Sequence, residues 1–267
     1  MAAENARALL DLSSLEVTYG PDQAPVVQDL CLRIERGQAV GILGESGAGK
    51  STIALAILDL LPRAARRKGR IHFDGLDLLG RAESIRAIRF RRISLVLQDC
   101  MNAFNPVIRI GEQIAELWVC HERTRWKEAL RRAGALLERF GLSAELTGSY
   151  PHELSGGMRQ RVALAMAVAL SPELVIVDEP TSALDVVTAN AVVELLGAVR
   201  RESGASLLVI SHDVSVLARC CDRIAVMGEG RILEEGPAAR VLRQPEHAAT
   251  RSLIAAVPRL AAFREKP

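Results

Sequence analysis

The sequence predicts an α/β protein with a mainly parallel core sheet. Short, wholly apolar runs at 39–43, 174–177 and 207–210 are typical of strands that are buried on both faces. Helical patterns separate these runs, and parallel strands need such crossover connections. A long helical block near the middle interrupts the alternation, which predicts a helical insertion in the core.

The first part of the chain has a different pattern. Residues 9–19 and 26–34 alternate apolar and polar side chains, which predicts an antiparallel sheet with one solvated face. Residues 69–73 continue as a further strand. A helix is predicted over 50–61, before Pro62, and another strand over 93–97.

The rest of the chain completes one predicted domain. Residues 110–140 are mostly helical with Gly141 as the C-terminal cap, and a second helix covers 156–170. The strand–helix alternation then resumes with helices over 186–202 and 214–221 and strands over 224–227 and 231–234. We predict a core with an antiparallel β-subdomain at about 1–98 and 161–243, a helical subdomain at about 99–160 and a tail at about 244–267.

Composition excludes several classes of protein. The 267 residues have a formal charge of +2, so no nucleic-acid partner is expected. The cluster Arg63, Arg66, Arg67, Lys68 and Arg70 is an anion contact or, as we favour, a solvated loop. No apolar run approaches the ~20 residues that span a bilayer. The start of the chain lacks a signal-peptide pattern, which predicts a cytoplasmic protein. Five cysteines without CxxC spacing suggest neither a disulfide framework nor a zinc site.

A phosphate-binding loop of the pattern GxxxxGK[ST] lies between a predicted buried strand and a helix. In that context the glycines let backbone N–H groups close on phosphate oxygens, and the helix adds its positive N-terminal dipole. Lys50 is expected to neutralise the β- and γ-phosphates, and the Ser51 hydroxyl is a magnesium ligand. The predicted ATP contacts here are Gly44, Glu45, Ser46, Gly47, Ala48, Gly49, Lys50, Ser51 and Thr52.

Two adjacent carboxylates follow the apolar run at 174–177. Asp178 ends the run at the carboxyl edge of the sheet, where ligands bind in open α/β folds. We predict that it serves Mg²⁺, while Glu179 polarises the attacking water.

Further motifs resemble those of ATP-binding-cassette (ABC) ATPases. Residues 154–161, Leu-Ser-Gly-Gly-Met-Arg-Gln-Arg, are similar to the signature motif of that family, and Asp185 ends a D-loop-like segment. The resemblance covers nearly the whole chain, with the motifs in order. It implies an ABC-type P-loop ATPase that binds ATP and Mg²⁺. It also implies a head-to-tail dimer, in which Ser155, Gly156 and Gly157 of one chain meet the nucleotide of the other.

The resemblance assigns three more residues, each with an alternative interpretation. Gln98 corresponds to the Q-loop glutamine, a catalytic and metal-binding position, but could be an ordinary strand-terminal residue. His212 corresponds to the switch histidine, but could be a core histidine. Tyr19 corresponds to the aromatic residue that stacks on adenine, but strand tyrosines are common packing residues.

Two segments resemble the peptide/nickel import branch of the family. One is 98–106, which ends in Asn-Pro and continues into Ile-Gly-Glu-Gln-Ile at 110–114, and the other is the tail at 244–258. The tail has Ala248-Ala249 where the branch often has Pro-Tyr. The sequence ends soon after Pro258 without a cysteine-bearing extension, which favours nickel or metal–chelate importers slightly over peptide importers.

The branch implies a set of partners and a location. These are a second ATPase subunit (a paralogue or a second copy), two transmembrane permease subunits and an extracytoplasmic substrate-binding protein. The chain would lie on the cytoplasmic face of the membrane, held there through the permeases. The alternatives are a soluble ABC-type ATPase of DNA repair or translation, the ATPase subunit of an exporter, and a nucleotide-binding scaffold without activity.

Overall fold

Two β-sheets and a helical block make up the structure, a computed structural model that describes residues 8–20, 23–79, 82–98, 103–182 and 184–256. The first sheet is antiparallel with strand order β2-β1-β4-β5. Its strands are β1 (Leu10–Thr18), β2 (Val27–Ile34), β4 (Arg66–Phe73) and β5 (Leu76–Asp77). Leucine, valine and isoleucine side chains alternate toward the core, as the sequence pattern predicts.

Strand β4 begins at Arg66, so the prediction that the basic cluster lies in a loop was wrong for Arg66, Arg67 and Lys68. Lys68 pairs with Glu16 on β1, and Arg66 pairs with Thr18. Gly69 has φ 97°, and a Cβ there would lie 2.2 Å from the Ser14 carbonyl oxygen. Cross-strand pairing and this close backbone approach therefore outweigh the mutual repulsion of the basic side chains.

The second sheet is parallel except at one edge, with strand order β10-β9-β3-β8-β7-β6. Among the described strand pairs of this sheet, β9–β10 is antiparallel and the others are parallel. Its strands are β3 (Ala39–Gly44), β6 (Ile93–Val96), β7 (Leu174–Asp178), β8 (Ser206–Ser211), β9 (Arg223–Gly228) and β10 (Arg231–Pro237). Every residue of β3, β7 and β8 is buried, which confirms the interpretation of their apolar runs.

Two apolar cores lie on opposite faces of the parallel sheet. On β3, Val40 and Ile42 point into the core shared with the antiparallel sheet, whereas Ala39 and Leu43 point into the core shared with the helical block. The helices outside that block are α1 (Lys50–Ile57), α2 (Ala82–Ile88), α6 (Val186–Ser203), α7 (Val214–Cys220), α8 (Ala238–Arg243) and α9 (Ala248–Ala255). Helix α1 ends four residues before the predicted Leu61.

The helical block consists of α3 (Ile110–Glu122), α4 (Trp126–Arg139), two short 3-10 helices (Ala144–Gly148 and Pro151–Glu153) and α5 (Gly156–Val168). A left-handed residue, Arg123, separates α3 from α4. Gly141 follows α4 at φ 68°, which agrees with its predicted role as a cap. Trp118 packs in the core and donates its indole N–H to the Ala169 carbonyl at 3.1 Å, which fixes α3 against the end of α5.

A ring of four ion pairs joins the two sheets at the end of the parallel strands where β7 begins. Arg36 contacts Asp74 at 2.7 Å and Glu173 at 2.6 Å, and Arg92 contacts the same two carboxylates. The Arg92 guanidinium also lies over the Phe73 ring, 4.9 Å from its centroid. The hydrogen bonds from Arg92 lower the pKa of Asp74 and of Glu173. The ring therefore links the β4–β5 turn to the parallel sheet.

Candidate active site

The phosphate loop connects β3 to α1 in a shape that depends on glycine. Gly47 and Gly49 have φ of 83° and 94°, which L side chains rarely adopt. A Cβ on Gly44 would lie 2.5 Å from the Met227 carbonyl oxygen, and one on Gly49 would lie 2.6 Å from that of Val26. At Gly47 an added Cβ would meet nothing within 4 Å, so glycine is needed there for its backbone conformation and not for space. The loop therefore forms a cradle that leads into the first N–H groups of α1.

Lys50 begins α1 and points back into this cradle. Its side chain is 6% exposed, and its ammonium group donates to the carbonyl oxygens of Gly44 at 2.9 Å and Glu45 at 2.8 Å. Burial lowers the pKa of Lys50, while the carboxylates of Glu179 and Asp178 oppose that shift. A desolvated cation held at the mouth of an anion cradle is suited to bind phosphate oxygens.

Asp178 ends β7 beside the phosphate loop. Burial raises its pKa, and a hydrogen bond with the Ser51 side chain opposes that change. Its Oδ1 atom is buried and has no hydrogen-bond partner among the described residues. An unpartnered carboxylate oxygen next to a hydroxyl is the kind of oxygen donor set that Mg²⁺ binds. These two residues therefore fit the predicted magnesium site.

Glu179 and His212 are brought together by adjacent parallel strands. The His212 Nδ1 atom lies 2.9 Å from Glu179 Oε2, and the His212 backbone N–H donates to Oε1 at 3.1 Å. Glu179 Oε1 also lies 3.9 Å from the Lys50 ammonium. Glu179 is 7% exposed and has φ 50°, a sparsely populated backbone conformation for a residue with a side chain. The His212 side chain is 63% exposed, which opposes its interpretation as a core histidine.

The signature segment and Asp185 lie at the starts of two other helices, α5 and α6. Ser155 caps α5 by accepting from the Met158 N–H at 3.3 Å, and Asp185 caps α6 by accepting from the Val187 and Thr188 N–H groups at 3.0 Å. A Cβ on Gly157 would lie 2.4 Å from Thr188 Cγ2, so the two helix starts are in close contact. Gly156 has no such neighbour within 4 Å and faces open space.

The structure thus divides the predicted residues into two groups. Lys50, Ser51, Asp178, Glu179 and His212 form one connected cluster. Among the described residues, no hydrogen bond or ion pair joins the group Ser155, Gly156, Gly157 and Asp185 to that cluster. Within the described part of one chain, the two groups therefore have no direct polar contact.

Tyr19 and Gln98 lie near the edges of the first group. The Tyr19 hydroxyl is 3.0 Å from the Thr52 hydroxyl on α1, so the ring lies next to the phosphate loop. Gln98 is exposed two residues beyond the end of β6, before residues 99–102, which are outside the described part of the chain. The contact of Tyr19 is compatible with both of its interpretations, and the role of Gln98 stays a prediction.

Sequence reasoning missed Ser211 and Thr188. The Ser211 hydroxyl lies 3.4 Å from Glu179 Oε2 and accepts from the Asp213 N–H at 3.0 Å, so it supports the turn that carries His212. The Thr188 hydroxyl donates to Asp185 at 2.6 Å, and this bond lowers the pKa of the Asp185 carboxyl. Two sequence signals could have indicated them. Ser211 is a hydroxyl residue at the end of a strand, and Thr188 is a hydroxyl residue three positions after the helix cap Asp185.

Together, the parallel core, the phosphate cradle and the Asp178–Glu179 pair define a P-loop ATPase. A family model described as ABC transporter matches residues 27–182, more than half of the chain, and the protein belongs to that family. Within the described residues, no helix has both the length and the apolar character that crossing a bilayer requires.

The relatives found by sequence agree with this family. The chain is 39% identical to an oligopeptide transport ATP-binding protein of Escherichia coli, over 99% of this chain and 80% of that one. It is 36% identical to the corresponding protein of Bacillus subtilis, over 97% and 74%. The corresponding protein of Mycobacterium tuberculosis is 42% identical, with 94% of this chain and 42% of that one covered.

Solved structures that superpose on this chain agree with the ABC transporter family. A dimeric ATP-binding cassette in a post-hydrolysis state, bound to ADP and Pi, superposes with a TM-score of 0.76 at 26% identity, covering 86% of this chain and 98% of that one. A subunit of an ABC transporter complex from Clostridium perfringens superposes with a TM-score of 0.75 at 27% identity, covering 94% and 96%. The chain is therefore an ABC-type ATPase that binds ATP and couples its hydrolysis to transport.

Proposed function

We propose that this chain energises an ABC importer for peptides. The observation that carries the catalytic part is the cluster in which Glu179 faces His212 at 2.9 Å and Lys50 at 3.9 Å. The support for peptide cargo is that the similar proteins from E. coli and B. subtilis are named oligopeptide transport proteins. Nickel or metal–chelate cargo remains the second candidate, and it rests on the sequence resemblance alone.

The site residues have distinct proposed roles. The backbone of the phosphate loop and Lys50 bind the β- and γ-phosphates, and Tyr19 stacks on the adenine. Ser51, Asp178 and Gln98 would hold Mg²⁺, which when bound neutralises charge on those phosphates. The buried, unpartnered Oδ1 of Asp178 and its contact with Ser51 support this set.

Glu179 is the proposed general base. A water between its carboxylate and the γ-phosphate gives up a proton to Glu179 while its oxygen bonds to phosphorus, and the bond to the bridging oxygen breaks to release ADP. The Lys50 ammonium and the His212 backbone N–H both contact the same carboxylate oxygen, Oε1, which holds the Glu179 side chain in place. His212 would sense the γ-phosphate through its exposed ring, because its Nδ1 is already engaged.

The complete site would need a second chain. Ser155 and the two glycines after it begin a helix whose free N–H groups suit an anion, and Gly156 faces open space. Val186 and Val187, next to Asp185, are 78% and 79% exposed, which suits a surface that another subunit covers. The similar post-hydrolysis cassette is a dimer with ADP and Pi bound. The second chain is either another copy or a paralogue.

The remaining partners follow from importer function. We propose two permease subunits that hold this chain at the cytoplasmic face of the membrane, and an extracytoplasmic substrate-binding protein that delivers the cargo.

The test is reconstitution of the complex in lipid vesicles with ATP inside, followed by addition of binding protein loaded with peptide or with nickel chelate. We expect the peptide-loaded binding protein, and not the chelate-loaded one, to raise the rate of ATP hydrolysis. Stimulation only by the chelate-loaded protein would contradict the peptide assignment, and a Glu179→Gln complex controls for contaminating ATPases.

A further inference from the structure

An exposed loop leads into α3 and is fastened to it by one side chain. Val107 at its tip is 78% exposed. The Gln113 amide accepts from the Asn105 N–H at 2.9 Å, and it donates to the carbonyl oxygens of Asn105 at 3.0 Å and Ile108 at 2.8 Å. Phe104 anchors the other end in the core. The loop at 104–108 is therefore tied to the start of α3.

The start of α3 is in turn packed against the chain that leads to the signature segment. The Ile110 N–H donates to the Ser149 carbonyl at 2.9 Å, and an Arg109 guanidinium nitrogen donates to the Gly148 carbonyl at 2.8 Å. A Cβ on Gly111 would lie 2.6 Å from Thr147 Cβ, so only glycine allows this approach. The cap residue Arg109 and the first two residues of α3 thus contact residues 147–149.

A stack of side chains continues from Arg109 to the signature. The Arg109 guanidinium lies 5.3 Å from the centre of the Tyr150 ring, and the Tyr150 ring stacks on His152 with centroids 5.6 Å apart. The Tyr150 N–H donates to the Glu153 carboxylate at 2.6 Å. Leu154 is buried directly before Ser155. Contacts therefore run from Asn105 to Glu153, two residues before Ser155, and the Arg109 side chain reaches across the join to Gly148 and Tyr150.

We infer that Arg109 is a positioning residue for ATP hydrolysis: it fixes residues 148–153 against α3 and so sets the position of Ser155. This inference rests on the proposed composite site, in which Ser155 meets a nucleotide on a second chain. Because the contacts are direct hydrogen bonds and ring contacts, a displacement of the exposed loop at 104–108 passes to Ser155.

The test compares three variants of the full chain in steady-state ATP hydrolysis. Arg109→Ala removes the stack, and Arg109→Lys keeps the cation and a donor. Arg131→Ala is the control, since Arg131 is an exposed arginine of the same helical block whose hydrogen bonds and ion pair, in the described part of the chain, go to Glu128. We expect kcat to fall ~10-fold in Arg109→Ala with KM for ATP unchanged, because a misplacement of about 1 Å can cost ~100-fold in rate. Arg109→Lys should recover part of kcat, and Arg131→Ala should match the wild type.

The outcomes separate this inference from the proposed site. Ser155→Arg is measured alongside as the variant that blocks the composite site itself. If Ser155→Arg abolishes hydrolysis and Arg109→Ala leaves kcat at the wild-type value, the role of Arg109 is overturned and the composite site stands. If Ser155→Arg hydrolyses ATP normally, the composite site falls and Arg109 falls with it. Thermal unfolding of each variant normalises kcat to the folded fraction, and a decrease that disappears on normalisation also overturns the role.

Discussion

The phosphate-loop region and the signature region of this chain differ in how complete they are. Around Lys50 the groups are buried and already in contact with one another, with Asp178 and Glu179 at 3% and 7% exposure. Around Ser155 the serine is exposed, Gly156 faces open space, and Val186 and Val187 protrude. One region is organised before any partner arrives, and the other has the chemistry of a surface that a partner must cover. Changes in the two regions should therefore fail in different ways.

The largest effect is expected at the organised region. Glu179→Gln keeps the shape of the side chain but removes the base, so we expect kcat to fall ~1000-fold, within the ~10²–10⁴-fold range for general-base catalysis. ATP binding, measured by calorimetry, should be unchanged. The matched control is Glu194→Gln, an exposed carboxylate on α6 that should hydrolyse ATP at the wild-type rate. A wild-type kcat for Glu179→Gln would disprove the assignment of the base.

The next effect tests whether the two regions meet across chains. Ser155→Arg should lower kcat ~100- to 1000-fold while ATP still binds, as expected when donors to a transition-state anion are lost. Mixing it with Lys50→Ala should restore activity, because each mixed dimer contains one site with an intact Lys50 and an intact Ser155.

No recovery in the mixture would show that two copies of this chain do not build the site. The measurement is ATPase activity of each variant alone and of the equimolar mixture at the same total concentration. Lys50→Ala mixed with itself is the negative control, because every one of its phosphate loops lacks the lysine.

A smaller effect is expected on nucleotide affinity. Lys50→Ala should weaken ATP binding ~10- to 100-fold, since hydrogen bonds to a charged group contribute about 1.5–3 kcal/mol. Lys127→Ala, an exposed lysine on α4, is the control. Calorimetry should show the loss in Lys50→Ala only. Equal affinity in both variants would count against the cradle.

The smallest effect concerns the ion-pair ring that joins the sheets, far from both regions. Arg92→Ala should lower the free energy of unfolding by about 1 kcal/mol at pH 7, a value reduced for solvent screening. Asp74 and Glu173 have lowered pKa values in the folded state, so their contribution is present above the unfolded values of about 4 and is lost as pH falls through the folded ones. The difference between wild type and Arg92→Ala in urea unfolding should thus shrink below about pH 4. A difference that is independent of pH would show that the ring contributes through packing on Phe73 instead.

Local sequence patterns predicted the organised region well. The spacing of Gly44, Gly49 and Lys50 between an apolar run and a helix is a short-range signal, and the structure places these residues in a strand–loop–helix as expected. Asp178 was predicted from its position after a buried run, because parallel strands bring their carboxyl ends to one edge. The roles of the site residues and the domain boundaries stay predictions.

The same patterns failed where distant residues decide the structure. The start of β4 was missed because charge density suggested solvent, whereas its pairing partner Glu16 lies about fifty residues earlier. The ring of Arg36, Asp74, Arg92 and Glu173 joins four separate segments and has no local signature. The stack of Arg109 on Tyr150 joins residues 41 positions apart, so spacing could not indicate it.

The sequence by itself determined the buried strands, the phosphate loop and the family, because each is recognised from short motifs, and the residues within one motif lie close together in the chain. Only the tertiary structure decided that Glu179 and His212 touch and that, among the described residues, Asp178 keeps an unpartnered oxygen and Ser155 makes no polar contact with the Lys50 cluster. These relations depend on strand order and on how helices pack across the sheet. Since packing energy is shared among many distant side chains, no short segment encodes it alone.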